Sequence, residues 1–269
     1  MKHFTKALLL LMFVFTLSNC TKEKKDDDPN QEEEVTDVTS EVAPTTFSQK
    51  VVLEEFTGEW CGYCPSGAQI MQNIVASHPN DVVAVALHNG DPFALSYESI
   101  LGNKLGVTGY PSAGINRLSW NGDRAPGRVQ WYSDVNTALQ MTPVGGVKIE
   151  TQLNSGKINI DVYAAVNENT DSAVISVYLV EDDVPESSPG AQANGGGAYV
   201  HHHVLRSVVA NASIDTKNGF VSKKSFTDVD VSNYVLANLK VVCVLSHKAP
   251  NYDVYNVQDV EAGQNSNWN

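Results

Sequence analysis

Two cysteines three positions apart, in Trp60-Cys61-Gly62-Tyr63-Cys64-Pro65, constrain this chain more than any other feature. Before them, residues 51–56 form an apolar run that reads as a buried strand. Behind them, Ala68, Met71, Ile74 and Val75 recur at helical spacing. The pair therefore sits where a strand hands over to a helix, with Pro65 tolerated in the first helical turn. The unpaired N–H groups of a helix N-terminus favour negative charge, so the first sulfur is expected to ionise readily. That makes Cys61 the candidate nucleophile and Cys64, one turn further in, the candidate resolving thiol.

The N-terminal end carries a second signal. Lys2, His3 and Lys6 precede an apolar run from 7 to 17, shorter than the ~20 residues that a bilayer crossing needs. This pattern reads as a secretion signal over residues 1–19. Leu17-Ser18-Asn19-Cys20 resembles a bacterial lipobox, with Asn19 where Gly, Ala or Ser is usual. On that resemblance Cys20 is the lipidated first residue of the mature chain, anchored to the outer membrane on its periplasmic side or at the cell surface. An ordinary cleaved signal that leaves Cys20 free is the alternative. Residues 20–46 hold a dense charge run, including Asp26, Asp27, Asp28, Glu32, Glu33 and Glu34, and read as a disordered acidic tether.

A net charge of −13, with no basic patch interleaved with aromatics, argues against nucleic acid as a partner. The chain has four cysteines. One is the lipidation candidate, two form the close pair, and Cys243 lies in an apolar strand where cysteine is usually a small buried hydrophobe. A zinc site needs four ligands, and the remaining candidates, Cys243 and His201-His202-His203, lie far along the chain. No metal or cofactor is therefore expected, and a lone close-spaced pair in an exported chain points to redox use.

Residues 47–142 alternate strand and helix. Strands are expected at 51–56 and 82–87, and helices at 65–77 and 96–105, the second ending at Gly106. A strand–turn segment follows over 113–120, then a helix over 127–141 with Val129, Tyr132, Val135 and Leu139 on one face. From residue 143 the apolar period changes to two. Strands are expected at 147–153, 158–166, 173–180, 199–209, 220–229, 239–245 and 253–260, with a long Gly/Pro-rich loop over 183–197. Such spacing suggests an all-β sandwich of immunoglobulin-like build over 143–269. His201 and His203, placed on one strand, would share a face. They read as a metal pair or pH-sensitive surface, or as a polar strand face beside Tyr199 and Arg206.

The first half resembles the thioredoxin superfamily. Three matches carry the resemblance: Trp60 before Cys61, an acid (Glu55) six positions before Cys61, and Tyr110-Pro111 at the family's cis-proline position. It implies an α/β thioredoxin-like domain in which Glu55 relays a proton to or from Cys64. It also implies that Pro111 and Tyr110 pair with substrate backbone while Trp60 and Tyr63 flank the site. The Gly62-Tyr63 centre resembles that of periplasmic disulfide isomerases. With the lipobox, the block from Glu54 to Cys64, the block from Leu105 to Ser112 and a β-rich half holding Tyr199 to Arg206, the whole mature chain resembles the outer membrane protein 28 related family of lipoproteins. The resemblances imply an outer-membrane-anchored thiol–disulfide oxidoreductase or isomerase. Its partners would be disulfide-containing exported proteins and a redox partner domain. The alternative is a surface lipoprotein for binding or adhesion whose cysteine pair is a structural disulfide.

Overall fold

The computed structural model describes residues 39–167, 173–215 and 220–269. Cys20, the expected signal and most of the expected tether lie outside them. The first strand, β1 (Val51–Thr57), pairs in parallel with β2 (Val82–His88), Val51 opposite Val82 and Thr57 opposite His88. Parallel neighbours need a crossover, which α1 (Cys64–Ser77) supplies. Both strands are buried along their whole length, which is why they read as continuous apolar runs. Next comes α2 (Ser96–Leu105), which stops at Gly106, whose φ of 75° is the left-handed cap that glycine adopts without strain. After it β3 (Ser112–Ile115) pairs antiparallel with the other side of β1.

The helix expected over 127–141 is shorter, α3 (Trp131–Ala138), and presents another face. Val129 is 87% exposed and Tyr132 is exposed, while Trp131, Val135 and Ala138 are buried. Trp131 decides this orientation. It is the largest apolar side chain in the segment, and its Nε1 donates to Pro126 O at 2.8 Å, so the ring is buried with its polar atom satisfied.

The rest of the chain is strand-rich. The longer strands are β4 (Gly145–Asn154), β5 (Lys157–Val166) and β6 (Ala173–Glu181). Two short strands follow, β7 (Val184–Pro185) and β8 (Val200–His201), which pair with each other. They precede β9 (Val204–Ile214), β10 (Val221–Asp230), β11 (Leu239–His247) and β12 (Val254–Glu261). Among the described residues, β10-β5-β4 form a three-stranded sheet, and β12-β11-β6-β9-β2-β1-β3 form a seven-stranded one. The result is a mixed α/β architecture in which strands predominate. Apolar residues of the smaller sheet, such as Ile149, Ile160 and Val162, pack on Val177, Leu179, Val241 and Cys243 of the larger. Burial pushes the Cys243 thiol pKa far up, so it behaves as a hydrophobe.

Strands from either side of residue 142 share the larger sheet. Val52, Phe56 and Val85 also belong to one apolar cluster with Tyr178, Leu205 and Val244. A buried ion pair crosses the same seam. Arg117 donates from Nε to Glu54 Oε2 at 2.8 Å and from Nη2 to Glu54 Oε1 at 2.7 Å, and Nη2 also reaches the Tyr178 hydroxyl at 3.0 Å. Such a bidentate pair, satisfied by a further hydrogen bond, fixes geometry more than it adds stability.

Two further expectations are corrected. The tether was expected to run to 46, yet its last residues rest on the β layers. Glu41 accepts from Lys148 Nζ at 3.1 Å, and Ala43 packs, with Phe47 just beyond it, against Tyr163 and Trp268. The strand expected over 199–209 is interrupted at His202-His203. His203 has φ 57°, and its backbone N–H donates to Asp182 Oδ1 at 2.7 Å. A left-handed residue cannot continue a strand, so His201 and His203 do not share a face.

Candidate functional site

The cysteine pair lies at the handover from β1 to α1. Tyr63 caps α1 and Cys64 is its first residue, while Cys61 stands in the preceding turn, whose carbonyl accepts from Cys64 N–H at 3.2 Å. Cys61 and Cys64 are joined by a disulfide with a Cα–Cα separation of 5.4 Å. Their side-chain environment is closed: Cys61 is 4% exposed and Cys64 2%.

Glu55 is buried behind the pair, 1% exposed, with no hydrogen-bond partner for Oε1. Burial alone pushes its pKa up to about 8, so the carboxyl is protonated at neutral pH. Its neighbour Glu54 points the opposite way along the strand, to Arg117. Pro111, in a cis peptide after Tyr110, packs against the same turn of α1 as Glu55. Gly67 marks that approach: a methyl group added there would stand 2.6 Å from Glu55 Oε1 and 2.9 Å from the Pro111 ring. Gly67→Ala is therefore expected to cost about 1–3 kcal/mol by overpacking, read as a lower urea midpoint with an unchanged m-value.

The aromatic residues form a rim. Trp60 and Tyr63 are exposed beside the disulfide. The Trp60 ring meets Tyr110 edge-on at 5.3 Å, and its Nε1 donates to Asn89 O at 2.7 Å. The Tyr110 hydroxyl donates to buried Glu98 Oε1 at 2.6 Å, which, with burial, raises the phenol pKa far above its usual value. Arg128 stands 5.7 Å over the Tyr63 ring.

Sequence reasoning missed two parts of the site. One is a strap, residues 186–198 between β7 and β8, which lies across the cysteine motif. Gln192 Nε2 donates to Cys61 O at 3.2 Å and Asn194 Nδ2 to Gly62 O at 3.0 Å. Ala193 N–H donates to Glu59 O at 2.6 Å, and the Glu59 carboxylate accepts from Ser187 N–H at 2.7 Å and from the Ser187 hydroxyl. The other is a histidine cluster at the end of β2. His88 Nδ1 is 2.6 Å from Asp91 Oδ2, and the His88 ring lies 4.9 Å from that of His201. His201 is not on an exposed face as expected. It is buried against Tyr199, His88 and Phe93, and its Nε2 stands 3.5 Å from Glu59 Oε1. Burial, helped by His88, lowers its pKa to about 4, so it is neutral near pH 7. The missed signal was His88 itself, a polar residue closing an apolar strand and followed three positions later by Asp91. Among the described residues, no cluster of three or more His, Cys, Asp or Glu has the arrangement of a metal site.

A family model described as outer membrane protein Omp28 matches residues 98–266, well over half of the chain. The match begins beyond the cysteine pair, so the case for chemistry there rests on geometry. HBP35 of Porphyromonas gingivalis has a similar fold, with a TM-score of 0.70 at 18% identity, covering 81% of this chain and 76% of that one. A crystal structure of a protein from Agrobacterium tumefaciens gives a TM-score of 0.53 at 15% identity, over 81% and 96%. A domain of the outer membrane lipoprotein Omp28 of Porphyromonas gingivalis, 16% identical, aligns over 46% of this chain and 92% of its own length with a TM-score of 0.31. No curated protein matches the sequence.

Proposed function

The chain belongs to the Omp28 family of outer membrane proteins, and from that premise we propose that it is a thiol–disulfide oxidoreductase or isomerase held at the outer membrane. Its site is read as thioredoxin-like and the strands from β4 to β12 as an immunoglobulin-like sandwich that presents clients. Cys20 would carry the lipid anchor. The observation that supports this reading best is the grouping around one disulfide of a helix N-terminus, a protonated buried carboxyl and the Pro111 ring. A structural cross-link needs none of the three.

A thiolate from an exported client attacks Cys61 Sγ, the Cys61–Cys64 bond breaks, and the electron pair leaves on Cys64 Sγ, which takes up a proton from Glu55. In the reverse step the Cys64 thiol returns that proton, and its thiolate attacks Cys61 in the mixed disulfide and releases the client thiolate. The partners are then disulfide-containing exported proteins, which would lie over Trp60, Tyr63 and Tyr110, and a redox domain that resets the pair. The test is catalysis of scrambled ribonuclease reshuffling by the full chain, together with the reduction potential of the pair. Reshuffling above background supports the proposal. Its absence, with a potential below about −300 mV, marks a structural disulfide and overturns it.

One observation favours the second reading, a surface binding module with a fixed disulfide: both cysteines are buried, and the strap is bonded to the Cys61 and Gly62 carbonyls. The two readings differ in what the strap does. If it only gates access, removing its side-chain bonds to Cys61 and Gly62 exposes the pair. The double change Gln192→Ala and Asn194→Ala is then expected to speed reduction by a small dithiol roughly tenfold, about 1 kcal/mol for each neutral hydrogen bond with part retained by Ala193. Stopped-flow fluorescence of Trp60 follows the rate, and an unchanged rate removes the strap as the barrier.

A further inference from the structure

Buried side-chain atoms that lack a hydrogen-bond partner are costly and uncommon in folded proteins. Among the described residues they include Glu55 Oε1, His88 Nε2 and His201 Nε2. These three side chains line one pocket together with Cys64, Thr57, Gln192 and Tyr199. The pocket has a volume of about 10 Å³, at the threshold for a single water. Three side chains that carry such atoms thus line one water-sized chamber, and Cys64, whose sulfur must change protonation when the disulfide opens, lines it with them.

His88 is the member best equipped to exchange a proton there. Asp91 accepts from the backbone N–H groups of Glu59 and Phe93, both at 2.9 Å, and lies 2.6 Å from His88 Nδ1. Burial works against the Asp91 charge, but these bonds outweigh it and hold the carboxyl below its usual range. An ionised carboxylate only accepts, so His88 Nδ1 carries the hydrogen and Nε2 is the nitrogen left open. The other charged and titratable groups around the ring are Glu55 from β1, Glu59 from the turn before α1, Tyr199 just after the strap, His201 from β8 and His202 beside it. Arg206 from β9 is separated from His88 by Phe93, over which it stacks at 5.5 Å.

We propose that His88, oriented by Asp91, is a second proton-exchange group for the Cys64 sulfur, acting with Glu55 through the chamber they share. The inference rests on the exchange chemistry proposed above. When Cys64 leaves as a thiolate it takes the Glu55 proton, and the carboxylate that remains is buried without a partner, an expensive state. The His88 imidazolium, its charge balanced by Asp91 on the far side of the ring, gives its Nε2 proton to that carboxylate across the pocket and is left neutral. When the disulfide closes again, Glu55 hands a proton back to His88 Nε2 and takes up the one that Cys64 releases. No oxidant or reductant beyond the client thiol and disulfide enters either step.

The test uses the full chain in both redox states. Nitrogen-15 NMR of histidine-labelled wild type gives the titration midpoint of His88 in the disulfide and dithiol forms, and the proposal expects the two midpoints to differ. His88→Asn, whose amide can still donate to Asp91, is expected to slow reaction of the oxidised chain with a small dithiol about tenfold at pH 6–7. It should also remove from the pH–rate profile one ionisation that Glu55→Gln retains. Identical His88 midpoints in the two states overturn the proposal, as does a His88→Asn profile superimposable on wild type. If His88→Asn does not fold, the midpoints decide alone. A chain that reshuffles no client while its His88 midpoint follows the cysteines refutes turnover and leaves the proton coupling standing.

Discussion

Cys61→Ser is expected to abolish reshuffling of client disulfides, bringing it to the uncatalysed rate, while Cys64→Ser is expected to accumulate a mixed disulfide that non-reducing electrophoresis and mass spectrometry would detect. The asymmetry follows from position. Cys64 is the first residue of α1 and forms a wall of the Glu55 chamber, whereas Cys61 lies in the turn outside it, beside exposed Trp60 and Tyr63. On the proposed mechanism Cys61 forms the bond to a client and Cys64 closes on it. Losing the cross-link itself is a small effect, because it closes a very short loop. The chain-entropy model gives about 2 kcal/mol, to be read from the urea midpoint of either serine variant. If Cys61→Ser keeps full reshuffling activity, the nucleophile assignment is lost. If both variants unfold far more than that small figure allows, the bond is mainly structural.

The second large effect is expected from Glu55→Gln, which should stabilise the fold at alkaline pH while slowing exchange. Burial raises the Glu55 pKa from 4.5 to about 8. Its folded-state value therefore lies above its unfolded one, so the folded chain holds a proton that the unfolded chain has lost. Stability from this group is fully present below about pH 4.5 and declines by roughly 1.4 kcal/mol per pH unit up to about pH 8, then levels off. His201 has the opposite sign. With its pKa lowered from 6.5 to about 4, it contributes stability above pH 6.5 that is lost as pH falls through 4. The two slopes oppose one another below pH 6.5, so the Glu55 slope stands alone between about 6.5 and 8. Over that window wild type should lose about 2 kcal/mol in chemical denaturation and Glu55→Gln should not. Glutamine cannot give up a proton to Cys64, and exchange should slow by about 10²-fold. A Glu55→Gln chain with the wild-type pH slope, or with undiminished exchange, would refute the role given to this carboxyl. A gain in stability with a loss of activity is the usual signature of a polar group retained for chemistry.

Much of this was legible in the sequence where the signal is local. β1 and β2 are buried on both faces, so their apolar runs are unbroken, and Gly106 punctuates α2 because the chain turns left-handed there. What could not be read depends on distant neighbours. The orientation of α3 is set by Trp131 reaching Pro126 O, not by the apolar period that brought Val129 and Tyr132 to the fore. The strand through His201-His202-His203 breaks because Asp182 captures the His203 amide. The strap is a Gly-rich loop whose composition predicts exposure. It is ordered by bonds to Glu59, Cys61 and Gly62, more than a hundred positions earlier in the chain. Period-two reading does separate Glu54 from Glu55, but only the fold shows that one meets Arg117 and the other meets nothing.

The order of strands in the larger sheet limits how this molecule can be divided. On the side away from β1, β2 is flanked by β9, and the Ala86 amide donates to His203 O at 2.6 Å. A fragment ending near residue 142 would thus lose the pairing of Ala86 with Val204 and leave the Ala86 backbone N–H on that flank of β2 without its acceptor. Such a margin invites pairing with another chain. The fragment would also lose the β-rich half's contribution to the cluster that holds Val52, Phe56 and Val85. The cysteine motif is accordingly not a portable cassette: excised, it is expected to self-associate, and its chemistry belongs to the undivided chain.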